Sequence, residues 1–207
     1  MLNVALIDSG VYGTTQYFAE TPEVRYRIER IRDRWQPDFS ADDLVVVPNG
    51  ANHVALYEAR GPIRTFLDRG GTLACFCGFF TPWIPGNQWV HDNRQPLHAV
   101  RYRARPDRLG LLEGVDINQL SVEPHGISGW WACGEIITDY PDSVLLEDNF
   151  GRMVMVADTT STPGLIIATA SGPLGDPDPS APSQGIAKVY RNIIRAAAIR
   201  NLESTHV

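Results

Sequence analysis

Cysteine is the residue type here with most capacity for covalent chemistry, and Cys77 stands where a nucleophile could work. It follows the apolar run Leu73-Ala74-Cys75-Phe76 and precedes Gly78, where a buried strand could turn sharply. A thiol at such a turn gains reactivity from backbone N–H groups and from a following helix N-terminus, which favour thiolate and oxyanion. Cys75 has the pattern of a packed core thiol, and a packed role for Cys77 stays open on the same ground. A thiol nucleophile needs a base in reach. His125, in Glu123-Pro124-His125-Gly126, is the first candidate and His53 the second. His91 and His98 read as exposed. No Cys-x-x-Cys or His-x-x-x-His spacing occurs, so no metal site is expected.

Around these residues lie the groups that would hold a substrate. The loop from Asp8 to Thr15 offers Ser9, Gly10 and Tyr12 between a strand and the next element. Such a loop can cradle a phosphate, flavin phosphate included, or simply turn the chain with Thr14 or Thr15 as a cap. No cofactor is the expectation. Asn49 and Gly50 follow a second apolar run, and backbone N–H groups near Gly50 and Gly78 are candidates for an oxyanion site. Trp83 and Trp89, then Trp130 and Trp131, are aromatic faces for a sugar or base, or for a core or subunit interface. Trp83 and Trp131 are taken as the substrate-binding pair.

The 207 residues are 43% hydrophobic and 20% charged, an ordinary globular balance. A net charge of −6 disfavours a nucleic-acid partner, which demands clustered excess Lys and Arg. No run reaches the ~18 apolar residues of a membrane span, and the first apolar stretch ends at Asp8, too soon for a signal peptide. Three cysteines, two of them inside an apolar run, suit free thiols in a reducing compartment. The expected setting is the cytoplasm. The expected partners are a small-molecule substrate and further copies of the chain.

The elements that must position these residues follow from periodicity. Val4 to Ile7, Leu44 to Val47 and Leu73 to Phe76 are continuous apolar runs, the pattern of parallel strands covered on both faces. Val54 to Asp68 carries a helical stripe of Leu56, Ala59, Ile63 and Leu67, broken or restarted at Gly61-Pro62 and stopped by Gly70-Gly71. Glu23 to Trp35 is predicted as another helix with Val24, Ile28 and Ile31 inward. Arg101, Arg103 and Arg105 alternate as on an exposed strand. Ser143 to Glu147, Arg152 to Ala157 and Leu165 to Ala170 are the last predicted strands. Residues 111–128 and 130–139 read as short β or coil segments, Ser171 to Gln184 as a loop, and Ile186 to Asn201 as the closing helix.

The expectation is one α/β domain over 1–207, a flavodoxin-like, doubly wound, mostly parallel sheet with helices on both faces. An irregular excursion covers about 79–140. The ligand crevice lies outside the strand carboxyl ends, where Asp8 to Thr15, Pro48 to His53 and Cys77 to Trp83 converge.

The stretch from Asp43 to Trp83 resembles the class I glutamine amidotransferase-like superfamily, which includes PfpI-type and ThuA-like proteins. The likeness rests on Leu44-Val45-Val46-Val47-Pro48-Asn49-Gly50, on the helix ending Phe66-Leu67-Asp68-Arg69-Gly70-Gly71, and on the strand into Cys77. Leu165 to Pro173 with its closing helix is similar to the final strand, loop and helix of PfpI-like members. The resemblance implies a flavodoxin-like sheet with Cys77 at a nucleophile elbow. Amidotransferases carry Gly two residues after the nucleophile and a His-x-Glu pair. Here Phe79 holds that position and no His-x-Glu occurs. The likeness is therefore closer to the ThuA-like branch, which implies a sugar-related role or a domain without the triad. The function it implies is a cysteine-dependent hydrolase or acyl transferase on a small sugar-related or amide molecule. The alternative is a non-catalytic domain that binds a ligand or oligomerises.

Overall fold

The apolar runs pair side by side and set the sheet. In the computed structural model, residues 1–76, 78–121, 133–170 and 175–205 are described. Strands β1 (Leu2–Asp8), β3 (Leu44–Val47), β4 (Thr72–Cys75) and β10 (Leu165–Thr169) are buried almost throughout, as two covered faces require. With β2 (Val24–Arg30), β6 (Tyr102–Ala104), β8 (Val144–Asp148) and β9 (Met153–Asp158) they form an eight-stranded sheet ordered β2-β1-β3-β4-β10-β9-β8-β6. The run from β2 to β10 is parallel, and β10-β9-β8-β6 is antiparallel. The fold is therefore α/β around a mixed sheet.

One predicted element is replaced. Residues Val24 to Arg30 form β2, paired with β1 from Leu2↔Val24 to Asp8↔Arg30, where a helix was expected. Val24 and Ile28 are four apart, a spacing that serves a helix face and a strand face alike. The full segment Val-Arg-Tyr-Arg-Ile-Glu-Arg alternates with period two, and β-branched and aromatic residues favour a strand. As the sheet's edge, β2 points Arg25 and Arg27 outward, charges that discourage pairing with another chain. The crossover from β1 to β2 holds only a short 3-10 helix, Thr14–Tyr17. The chain from β2 to β3 tucks in Trp35 and Phe39, edge-on to each other at 6.5 Å, with Phe39 against Phe66 at 5.8 Å. Those rings fill space that a helix was expected to cover.

The helices keep close to their sequence signals. Helix α1 (His53–Glu58) and helix α2 (Arg60–Asp68) divide at Ala59. Gly61 and Pro62 therefore sit in the first turn of α2, where proline's missing N–H costs nothing. The α2 stop is a Schellman turn. Gly70 N–H donates to the Leu67 carbonyl at 2.9 Å and Gly71 N–H to Phe66 at 3.2 Å. Gly70 has φ +90°, which favours glycine. Helix α3 (Ile186–Thr205) closes the chain with Val189, Tyr190, Ile193 and Ala197 buried.

The excursion carries a two-stranded antiparallel ribbon of β5 (Asn87–His91) and β7 (Gly134–Thr138). The predicted period-two arginines fall on β6 and its flanks. Arg103 and Arg105 both pair with Glu147 of β8. Strands β8, β9 and β10 lie where they were expected.

Candidate functional site

The carboxyl ends of β1, β3 and β4 bring the predicted segments together. Ser9 Oγ accepts the Asn52 N–H at 2.9 Å, which ties the β1 loop to the start of α1. Asn52 caps that helix. Its Oδ1 accepts the Val54 N–H at 3.2 Å and the Ala55 N–H at 3.1 Å. Gly50 has φ +83°, and a Cβ there would stand 2.9 Å from Val11, so only glycine suits this approach. Gly10, at φ +80°, turns back so that its N–H reaches Asp8 Oδ1 at 2.8 Å. The other oxygen of Asp8 accepts from Arg30 Nε at 3.1 Å, so the carboxylate at the end of β1 is paired.

Beside these loops stands the chain leaving β4. Phe76 N–H donates to the Val47 carbonyl at 2.9 Å, which continues the β3–β4 pairing one residue past Cys75. Thr81 Oγ1 donates to the His53 carbonyl at 2.7 Å. Trp83 Nε1 donates to His53 Nδ1 at 3.1 Å, with the two rings nearly parallel at 6.2 Å. That bond needs a lone pair on Nδ1 and places the imidazole proton on Nε2. His53 is buried and Trp83 is 3% exposed, so both side chains are packed inside rather than presented to solvent. To take a proton through Nδ1, His53 would have to give up the tryptophan N–H.

Gly78 is a contact surface for Trp89. A Cβ on Gly78 would lie 2.4 Å from the indole, and one on Gly134 would lie 2.6 Å from it. Both glycines approach the indole at Cε2 and Cζ2, and its Nε1 is buried without a hydrogen-bond partner among the described residues. Phe80 packs edge-on to Trp89 at 4.8 Å and to His53 at 6.0 Å, yet is 72% exposed. Tyr12 is 97% exposed. Asn49 is exposed on the adjoining loop. At the far end of β5, Arg94 hydrogen-bonds both oxygens of Asp92 and holds that carboxyl well below its usual range.

Of the sequence-predicted residues, Ser9, Gly10, Tyr12, Asn49, Gly50, His53, Gly78 and Trp83 gather at this one end of the sheet. Cys77, His125 and Trp131 lie outside the described residues, as do parts of the predicted 111–128, 130–139 and 171–184 segments. Cys75 is fully buried. The loop after β1 leads into a four-residue 3-10 helix whose N-cap is Gly13, with no side-chain cap. Neither threonine caps it, and it supplies little helix dipole for a phosphate. His91 and His98 are exposed, as expected. Phe80 and Thr81 were not anticipated. Their signal was their position directly after the Gly78 turn.

No protein-family model matches the chain, and no curated protein matches it. Solved structures share the fold at low identity. Cytoplasmic protein STM1381 from Salmonella typhimurium LT2 aligns over 97% of this chain and 99% of its own, at 12% identity and a TM-score of 0.54. A β-galactosidase from Rahnella sp. R3 aligns over 98% of this chain at 15% identity and a TM-score of 0.50. This chain spans only 31% of that enzyme's length. A ThuA-like protein from Parabacteroides merdae aligns over 96% of this chain and 88% of its own, at 12% identity and a TM-score of 0.48. Among the described residues, no helix is long and apolar enough to cross a membrane.

Proposed function

We propose that the chain is a ThuA-like domain of the class I glutamine amidotransferase-like superfamily, with a small-molecule site in the crevice at the strand carboxyl ends. The observation that carries the reading is the convergence of the Ser9–Tyr12 loop, the Asn49–His53 turn and the Gly78–Trp83 segment. Those were the segments the flavodoxin-like topology selects. Tyr12 and Phe80 supply exposed aromatic faces, and Ser9 and Asn49 supply polar groups nearby. That combination suits a sugar-related or amide molecule.

In its catalytic form, Cys77 attacks a carbonyl carbon of the substrate and His125, or secondarily His53, takes the thiol proton. The carbon–leaving group bond breaks, the leaving group departs with that proton, and water or an acceptor releases the acyl group. Alkylation kinetics across pH test this directly. Cys77 is expected to react with an apparent pKa well below about 8.5, while buried Cys75 stays inert in the folded protein. An ordinary or unreactive Cys77 thiol refutes the nucleophile.

A second reading is favoured by the Trp83–His53 bond, which occupies one histidine nitrogen with a structural task. Here the domain is non-catalytic, binds its ligand in the same crevice and assembles with further copies in the cytoplasm. The part-length match to a β-galactosidase supports a fold that also serves inside larger chains. In this case Cys77→Ser retains ligand binding, and light scattering finds an oligomer.

A further inference from the structure

A second concave site lies away from the crevice, between the first residues of β1 and β2 and the outer face of α3. It encloses about 450 Å³, within the range of small-molecule pockets. Leu2, Val24, Ile194 and Ala198 make its walls apolar. Beside Thr21, Glu23, Asp176, Arg191 and Arg195, its lining holds the pair Tyr26 and Tyr190, whose hydroxyl oxygens are 2.6 Å apart. Phe18 meets both rings edge-on, at 5.8 and 5.5 Å, and Phe76 meets Tyr190 at 6.1 Å. The pair is thus fixed by packing.

The proton count of this pair is informative. Burial pushes Tyr26 up to about 12 and Tyr190 well above the ordinary phenol value, so both hydroxyls are protonated at neutral pH. One proton lies in the bond between them. The accepting hydroxyl keeps its own proton, for which the described residues supply no hydrogen-bond acceptor. Asp176, paired with Arg191, and Glu20 set negative charge near Tyr26. Arg191 and Arg195 also line the groove, but they are paired with Asp176 and Glu113, so neither is left over as a cation for an anionic acceptor.

We infer that this groove binds a neutral, amphipathic small molecule whose carbonyl or hydroxyl oxygen accepts the spare tyrosine proton while its apolar body lies along the walls. The site uses none of the crevice residues, so its failure and the failure of the crevice reading are separate results.

The test is an NMR titration of the full chain with three probes of similar size: acetanilide, propylbenzene and benzoate. Acetanilide should bind about fivefold more tightly than propylbenzene, the worth of one hydrogen bond, and benzoate should bind most weakly. Acetanilide should also shift the ring signals of Tyr26 and Tyr190. The double variant Tyr26→Phe with Tyr190→Phe keeps the shape and removes both hydroxyls together, a change expected to be mild for folding. It should erase the acetanilide advantage and leave propylbenzene binding unchanged. Ala198→Phe should fill the groove and weaken both probes. Equal binding of acetanilide and propylbenzene, or an advantage that survives in the double variant, overturns the proposal. So does a dimer by light scattering that Ala198→Phe dissociates, since a second copy would then be the occupant.

Discussion

Replacing Gly78 with alanine places a methyl group where the Trp89 indole already lies. The new Cβ would be 2.4 Å from the ring, against an ordinary contact of 3.4–4 Å, so the indole must retreat by about 1 Å. Gly134 also lies close to the ring, its own virtual Cβ 2.6 Å from the indole, so little room is left for that retreat. Gly78 does not have a positive φ, so alanine suits the backbone and the penalty is one of packing alone. Overpacking of this kind costs about 1–3 kcal/mol, reduced by the few tenths to one that alanine gains from a stiffer unfolded chain. Urea denaturation of Gly78→Ala should therefore show a loss of about 1–2 kcal/mol with an unchanged slope. Trp89→Phe supplies the control. It removes the ring atoms nearest Gly78 and an indole N–H without a partner among the described residues, so it relieves that buried donor while losing packing area. The double variant should be more stable than the sum of the two single losses by about 1 kcal/mol. A neutral Gly78→Ala, or strictly additive losses, refutes this close approach. A variant of normal stability that loses only activity would instead assign Gly78 to the oxyanion site.

Other expectations rest on single contacts. Asn52→Ala removes both cap bonds at the start of α1 and should cost about 1 kcal/mol in denaturant unfolding. Arg152→Leu should cost about 3–5 kcal/mol. It strands the fully buried Asp148 carboxylate that Arg152 pairs at 2.7 Å, and it frees the Asp92 carbonyl bonded at 2.6 Å. Stability should fall as pH rises from about 10 to about 12. Tyr26 ionises near 10 when unfolded and only near 12 when folded, so its contribution is complete below 10 and lost above. The loss is on the order of 2 kcal/mol, and thermal melting across that range measures it. A flat or rising profile would contradict the burial of the tyrosine pair.

The sheet was legible where burial on both faces leaves a continuous apolar run, as at Leu44 to Val47 and Leu165 to Ala170. The edge was harder. Val24 to Arg30 is half exposed, and its apolar residues satisfy two periodicities at once. The alternation of the whole segment leans toward a strand, and the free edge of β1, a long-range fact, completes the choice. At the crevice, the turn glycines and Ser9 could be read because strand ends announce themselves. The role of Trp83 could not. Its aromatic face suggested a ligand platform, while the fold spends its N–H on His53, a partner thirty positions earlier in the chain. Phe80 was hidden beside Phe79, which is 1% exposed. Only the bend after β4 separates the buried ring from the exposed one.

Strand β10 sits between β4 and β9 in the sheet, although it is the last strand to be made. Its register joins Ile166 to Leu73 on one side and to Asp158 on the other. During synthesis the parallel half, β1 to β4, therefore waits with the β4 edge open until residue 169 has left the ribosome. The antiparallel β8–β9 hairpin can form locally and at once. The nascent chain must hold two half-sheets apart until one five-residue strand bridges them. A ribosome-bound chain halted before Leu165 should thus stay open to protease, and release of a few more residues should close it in a single step.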